Sequence, residues 1–256
     1  MEIREDRWLS SIFDHSVFKI EVDPSASAGH GSDLSEVIRR HASQQRRAFY
    51  YSKIDTAQAA LARQLSLAGL YVVDVNVIFR LTPARLLTTE MASGTERYSV
   101  REITPAQYDE VLQIAGSCFT YSRFHLDPLV SLTTANQVKR EWIQSYINKQ
   151  RGDRLFVACV GPQPAGFLAA LASESAGQKI RTIDLVGVGN AFQRQGVGQS
   201  LVSFFINHYR NQCDYFEVGT QIANIPSMRL YQGFGFELAR SQYVLHMSIP
   251  GKDQSN

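Results

Sequence analysis

Apolar and polar positions alternate with two different periods along this chain, and the switches between them outline its elements. A period of two runs through "FKIEV" (18–22), "RAFYYSKI" (47–54) and "LYVVDVNVIFRL" (70–81), which predicts three strands. Helical spacing marks residues 35–45 and "TAQAALARQLSLAG" (56–69), the latter ending at Gly69. "PSASAGHGSD" (24–33) has the composition of a loop. The first third therefore reads as a small βαβαβ unit. Periodicity fades over 82–99 while Thr, Ser and Gly accumulate. That stretch is the expected boundary between an N-terminal domain (1–90) and a larger second domain (98–250).

The second unit opens on a strand at 98–104, followed by helical spacing at 105–119, with Pro105 at a first-turn position, and at 135–150. The loop 121–128 lies between those helices. Three strand-like runs follow at 154–160, 164–173 and 180–189. A helix at 197–211, a strand at 215–221, a short helix at 225–232 and a strand at 236–249 complete the order. The pattern βααβββαβαβ predicts a mixed α/β (α+β) fold. "LARQLSLAGLYVVDVNVIFRL" and "MRLYQGFGFELARSQYVLHM" both run helix, glycine, aromatic, strand. Helices ending in glycine are common, so this echo leaves duplication open. The long apolar strand at 236–249 leaves two options: pairing across a homodimer, or ending inside its own sheet.

Composition narrows the class. The chain has 256 residues, 44% apolar and 20% charged, with a net charge of +2. That is ample for a core and too mild for a dedicated nucleic-acid or membrane surface. The start "MEIREDRWLSS" has no apolar signal core, and no run of 18 apolar residues occurs. Cys118, Cys159 and Cys213 are odd in number and widely spaced, against a disulfide frame or a zinc site. The expectation is a cytoplasmic protein without metal, membrane or nucleic-acid partner.

The chemistry concentrates at "QRQGVGQSL" (193–201), where a strand hands over to a helix whose buried face is marked by Val197, Leu201, Val202, Phe205 and Tyr209. A helix start carries unpaired N–H groups and partial positive charge, and glycines let those groups approach an anion. The spacing lacks the Lys-Ser/Thr of a P-loop and the third glycine of a dinucleotide fingerprint. On spacing alone, a glycine-rich helix start explains it equally well.

Gln193-Arg194-Gln195-Gly196-Val197-Gly198 matches the Gln/Arg-x-x-Gly-x-Gly/Ala acetyl-CoA signature of the GCN5-related N-acetyltransferases. "ANIPSMRLYQGFGF" (223–236) resembles that family's second motif, with Asn224, Leu230, Tyr231, Gly235 and Phe236 in register. Two departures stand out: Asn190 replaces a frequent proline, and Gly233 loosens the end of the second motif's helix. The match covers roughly 98–249. It implies the family's acyl-CoA N-acyltransferase fold, a mixed, mostly antiparallel sheet flanked by helices. It also implies acetyl-CoA as co-substrate. Val186 and Val188 would pair with the pantetheine arm like an added strand, with the Val188 N–H polarising the thioester carbonyl. The signature loop and Asn224 would hold the coenzyme, and Tyr231 would protonate the departing thiolate as general acid.

Asn224 is a good helix N-cap and Pro226 suits the first turn. Tyr231 lies seven residues on, roughly 10 Å along the same helical face. Without the family, a half-buried core aromatic explains Tyr231 as well. A general base is harder to place. Asp184 is the first candidate, before Glu217 and His125. An acceptor amine with a pKa of about 8 is already about a tenth neutral at pH 7 and needs little help.

The loop "CFTYSRFHLDP" (118–128) concentrates Tyr121, Ser122, Arg123, His125 and Asp127 where the family places its acceptor wall. Arginine forks hydrogen bonds to phosphate or carboxylate. On spacing alone, a polar loop with Arg123 paired to a local acid explains it. "SRF" followed by Asp-Pro, with the βαβαβ front, makes the chain similar to TDP-fucosamine acetyltransferases. These acetylate a 4-amino-4,6-dideoxy sugar on a TDP carrier, for surface polysaccharide. They also carry a degenerate, acetyltransferase-like N-terminal domain. The resemblance implies Tyr121, Ser122, Arg123 and His125 as substrate-binding residues and a nucleotide-linked amino sugar as partner. Two alternatives remain: an acetyltransferase acting on a peptide or another small amine, and a non-catalytic coenzyme A-binding module.

Overall fold

The central feature of the computed structural model, which describes residues 1–22, 34–86 and 98–251, is one ten-stranded sheet. Its first elements are β1 (Glu2–Glu5), α1 (Arg7–Phe13), β2 (Ser16–Glu21), α2 (Leu34–Ser43), β3 (Ala48–Asp55), α3 (Ala59–Leu67), β4 (Tyr71–Leu81) and a short α4 (Pro83–Leu86). Then come β5 (Ser99–Glu102), α5 (Tyr108–Ala115), α6 (Arg123–Leu126), α7 (Leu132–Ile147), β6 (Arg154–Val160) and β7 (Gln163–Ser175). The chain continues with β8 (Gln178–Val188), α8 (Val197–Tyr209), β9 (Tyr215–Gln221), α9 (Ile225–Gly233) and β10 (Glu237–Ile249).

The strand order is β1-β2-β3-β10-β4-β9-β8-β7-β6-β5. Only β2–β3 and β8–β9 pair in parallel. Strand β10 lies between β3 and β4, antiparallel to both, so its two edges are used within its own sheet. Of the two sequence options for this strand, the structure shows the second, pairing inside its own sheet. Strand β4 in turn pairs with β9. The order β2–α2–β3–α3–β4 thus repeats as β8–α8–β9–α9–β10, with each set's last strand inserted beside the other. The sequence echo between 61–81 and 228–247 maps onto α3–β4 and α9–β10.

Helices α2, α3, α8 and α9 cover one face, where Val77, Phe79, Leu81, Phe205 and Phe216 are almost wholly buried. Helices α1, α5, α6 and α7 cover the other, around Phe49, Phe124, Val138, Ile143 and Phe167. β4 divides its side chains between them. Val77, Phe79 and Leu81 enter the first core, while Asn76 and Ile78 face a cavity on the second side.

Two elements escape the periodicity reading. β1 is four residues, three of them charged, and α1 is seven residues with only Leu9 and Phe13 buried. Neither is long enough to show a period; the Asp6 side chain, which caps α1 by accepting from the Leu9 N–H, is their one local signal. The loop read at 121–128 contains the one-turn helix α6. The loop expected at 24–33 and most of the boundary expected at 82–99 lie outside the described residues.

Candidate active site

Strands β8 and β9 pair only from Ile180/Tyr215 to Ile183/Val218. Beyond that β9 continues against β4 and β8 against β7, so the two strands part. Asp184 marks the point of divergence. It is the extra residue of a bulge, because Ala169 and Ala170 of β7 oppose Leu185 and Ile183. The cleft so opened is part of a cavity of about 970 Å³ running from the start of α8 to β3.

At one end lies the glycine loop. Gly196 is the N-cap of α8 at φ 90°, with no side chain capping the helix, and Arg194 is also left-handed at φ 60°. The first N–H groups of α8 have no intrahelical acceptor, so the loop presents donors and partial positive charge. Gln193, Arg194, Gly196, Val197 and Gly198 line the cavity. Gln195 is absent from that wall. Its side-chain amide donates to the Ala191 carbonyl at 2.9 Å, and its own carbonyl accepts from the Tyr98 hydroxyl at 3.0 Å. Gln193 donates to Asn190 Oδ1 at 3.0 Å, which gives the asparagine in the proline's place a local partner.

Val186, Val188, Asn224 and Tyr231 line the middle of the cavity. Asn224 caps α9 by accepting from the Ser227 N–H at 3.3 Å, and its Nδ2 donates to Thr220 Oγ1 at 3.2 Å. Tyr231 is 2% exposed, between the rings of Phe79 and Phe236. Burial raises its phenol well above the usual range, partly offset by a hydrogen bond with Ser227. The phenol therefore stays protonated at neutral pH. Cys118, also in the wall, interacts with the backbone N–H of Val188, and burial pushes its thiol up to about 12. A thiol so held is a poor nucleophile.

Asp184 lines the cavity but is fully engaged. It accepts from Trp142 Nε1 (2.8 Å), Tyr146 Oη (2.7 Å), Arg151 Nε (2.8 Å) and a second Arg151 nitrogen (3.0 Å). Burial alone would raise its pKa, yet these donors, Arg151 foremost, hold it below the ordinary carboxylate value. Glu217 is paired with Arg80 at 3.0 Å and Arg240 at 3.6 Å.

Tyr121, Ser122 and Arg123 line the far end. His125 does not. It stands behind Ser122, with Nδ1 2.6 Å from the Ser122 hydroxyl and Nε2 2.9 Å from Asn136 Oδ1. Burial lowers its pKa. Arg123 lies over the rings of Tyr51 and Phe124, at 4.1 and 4.2 Å from their centroids. Its guanidinium contacts His246 Nε2 at 3.1 Å. His246 Nδ1 meets Asp127 Oδ2 at 2.7 Å, and Asp127 Oδ1 accepts from Tyr71 Oη at 2.7 Å. Burial pushes His246 down to about 4, so its neutral ring donates to Asp127 through Nδ1 and accepts from Arg123 through Nε2.

Lys53, Asn76, Lys139 and Trp142 also line the cavity, and sequence reasoning missed them. Lys53 and Asn76 come from β3 and β4, so the chain's first third builds part of the wall. The one available signal was alternation, which sets Asn76 beside Asp74 and Arg80 on the more polar face of β4.

Comparison with known proteins defines the class. Residues 108–236 match the model of the acetyltransferase (GNAT) family, and the chain belongs to that family. Its fold is the acyl-CoA N-acyltransferase fold, and the family's co-substrate is acetyl-CoA. Over 150 residues the chain is 27% identical to the spore coat polysaccharide biosynthesis protein SpsD of Bacillus subtilis, covering 58% of this chain but half of that protein. A GCN5-related N-acetyltransferase from Sphaerobacter thermophilus superposes with a TM-score of 0.59 at 14% identity, over 98% of this chain and 77% of that one. A tandem GNAT protein from the clavulanic acid biosynthesis pathway gives 0.58 at 14% identity, over 93% and 76%. Among the described residues no helix is long and apolar enough to cross a membrane.

Proposed function

We propose that this chain transfers an acetyl group from acetyl-CoA to the amino group of a nucleotide-linked amino sugar. The expected acceptor is a TDP-linked 4-amino-4,6-dideoxy sugar destined for a surface polysaccharide. The observation that carries the reading is one continuous cavity, which joins uncapped helix N–H groups at one end to a wall of polar and cationic side chains at the other. The resemblance to SpsD, named for polysaccharide biosynthesis, supports the acceptor class.

The chain's residues divide the work. The N–H groups at the start of α8 donate to the coenzyme's diphosphate without a dense cluster of basic side chains. The parted β8 offers backbone groups at Val186 and Val188 to the pantetheine arm, and the Val188 N–H, which the Cys118 thiol meets in the free protein, turns to stabilise charge developing on the thioester oxygen. The neutral amine attacks the carbonyl carbon, the carbon–sulfur bond breaks, and the amine's proton leaves to solvent. Tyr231 gives its proton to the departing sulfur. We assign Asp184 to holding Trp142, Tyr146 and Arg151 around the bulge rather than to proton transfer, since a carboxylate with four donors has little basicity left.

Thiol release from acetyl-CoA, measured with TDP- and UDP-linked amino sugars beside a peptide panel, tests the reading. Turnover at least tenfold faster with a nucleotide-linked amino sugar is expected. Rapid turnover of peptides alone would overturn the acceptor assignment.

A further inference from the structure

The acceptor end of the cavity carries charge that the transfer step leaves unused. Lys53 of β3, Arg123 of α6 and Lys139 of α7 share its wall. Lys139 is 8% exposed, with its ammonium 5.1 Å from the Phe119 ring centroid and 5.0 Å from that of Trp142. Arg123 is held between two rings and donates to a neutral histidine. Lys53 is an exposed residue, yet desolvation by the surrounding protein and the neighbouring Arg123 charge lower its pKa to about 8. Burial and the same Arg123 charge lower Lys139 to about 8. The three cations therefore act on one another.

Among the described residues none of the three forms an ion pair with a carboxylate. The nearby acids are committed elsewhere. Asp6 caps α1 and accepts from the Tyr51 hydroxyl at 2.7 Å. Asp127 serves His246 and Tyr71, Asp184 serves Arg151, and Glu217 serves Arg80 and Arg240. Asp74, in register with Lys53 across Val244 of β10, attracts Lys53 without forming an ion pair with it, and burial raises it to about 6. A buried charge without a counter-ion costs folding free energy, and such a cost concentrates where a ligand supplies the missing charge.

We propose that Lys53, Arg123 and Lys139 form a seat for the phosphate or diphosphate of the acceptor, distinct from the diphosphate site at the start of α8. The seat rests on the nucleotide-sugar reading of the same cavity and specifies it. A lone carboxylate would leave two of the cations unmatched, whereas a diphosphate offers more charge and more acceptor oxygens, and arginine's fork suits it. Because β3 supplies Lys53, the seat closes only when the chain's first third is in place.

The test is calorimetric titration of thymidine diphosphate into the full chain already saturated with coenzyme A, so that the α8 end is filled. One-site binding is expected, weakened at least tenfold by Lys53→Met and by Lys139→Met, with coenzyme A affinity within twofold of wild type. Thymidine and galacturonate, which lack phosphate, should bind at least tenfold more weakly than the diphosphate. Lys139→Met should also raise the Tm of the free protein, because it removes an unmatched buried charge. Lys53→Met, at a solvent-reaching position, carries the test should Lys139→Met fail to fold. Thymidine diphosphate that competes with coenzyme A for one site, or binds both variants as tightly as wild type, overturns the seat. Failure of coenzyme A to bind would instead sink the acyltransferase reading; the lysine dependence of diphosphate binding, measured without coenzyme A, still decides the seat.

Discussion

At the donor end of the cavity, Gln193, Arg194, Gly196, Val197 and Gly198 of one short loop offer backbone N–H groups and a single charged side chain, Arg194. At the acceptor end, Lys53 arrives from β3, far along the chain from α6 and α7, which supply Arg123 and Lys139. The donor end is a local motif, fixed by a strand, a left-handed glycine and a helix start. The acceptor end exists only because the sheet places β3 and β4 beside the parted strands. One co-substrate can thus be bound by a short stretch that tolerates change elsewhere. The acceptor depends on the topology of the whole sheet.

The comparison predicts that chemistry, donor binding and acceptor-side architecture fail separately. The largest effect is expected at Tyr231, which the account places on the reaction coordinate. Tyr231→Phe should lower kcat by about 10² or more, as loss of a general acid does, with KM for acetyl-CoA within twofold. Steady-state thiol release checks this, and wild-type turnover would remove the assignment.

Asp184→Asn comes next. Replacing a carboxylate that accepts four hydrogen bonds should cost about 1–3 kcal/mol of stability, read from denaturant unfolding. The pH–rate profile should keep its shape. Disappearance of its acidic limb would make Asp184 a base after all.

The two glycines of the loop separate backbone strain from crowding. Gly196 sits at φ 90°, where a side chain costs about 1–2 kcal/mol. A Cβ at Gly198 would meet Leu230 Cδ2 at 3.4 Å, an ordinary contact. Gly196→Ala should weaken coenzyme A binding about tenfold or more, and Gly198→Ala less than threefold. Equal losses in calorimetry would shift the explanation from backbone geometry to space.

The smallest effect is a pH dependence behind Arg123. His246 faces Arg123, Asp127 and Lys53, and burial lowers it from 6.5 to about 4. Between those values the unfolded chain binds more protons than the native one, so stability falls as pH drops from about 6.5 toward about 4. Asp127, held below 3.8 despite its burial, adds a loss only at still lower pH. His246→Gln should flatten the Tm profile between pH 4.5 and 6.5; an unchanged slope would place the titrating group elsewhere.

Legibility in the sequence followed the same divide. The glycine loop, Asn224 and Tyr231 share a motif order, and most strands could be read from their alternation. Lys53 and Lys139 carried no signal, because a single lysine on a strand or helix looks like any solvated charge until its neighbours are known. Asp184 looked available to a proton because sequence could not show Arg151, Trp142 and Tyr146 converging on it from α7 and the segment after it. The placement of β10 between β3 and β4 was equally hidden, since strand order depends on pairings between distant residues.

The most direct test is a crystal structure of the chain with coenzyme A. The diphosphate is expected within hydrogen-bond reach of the Val197 and Gly198 N–H groups, and the thiol beside the Tyr231 hydroxyl. Coenzyme A bound elsewhere, with those N–H groups facing protein and Tyr231 remote from sulfur, would contradict it.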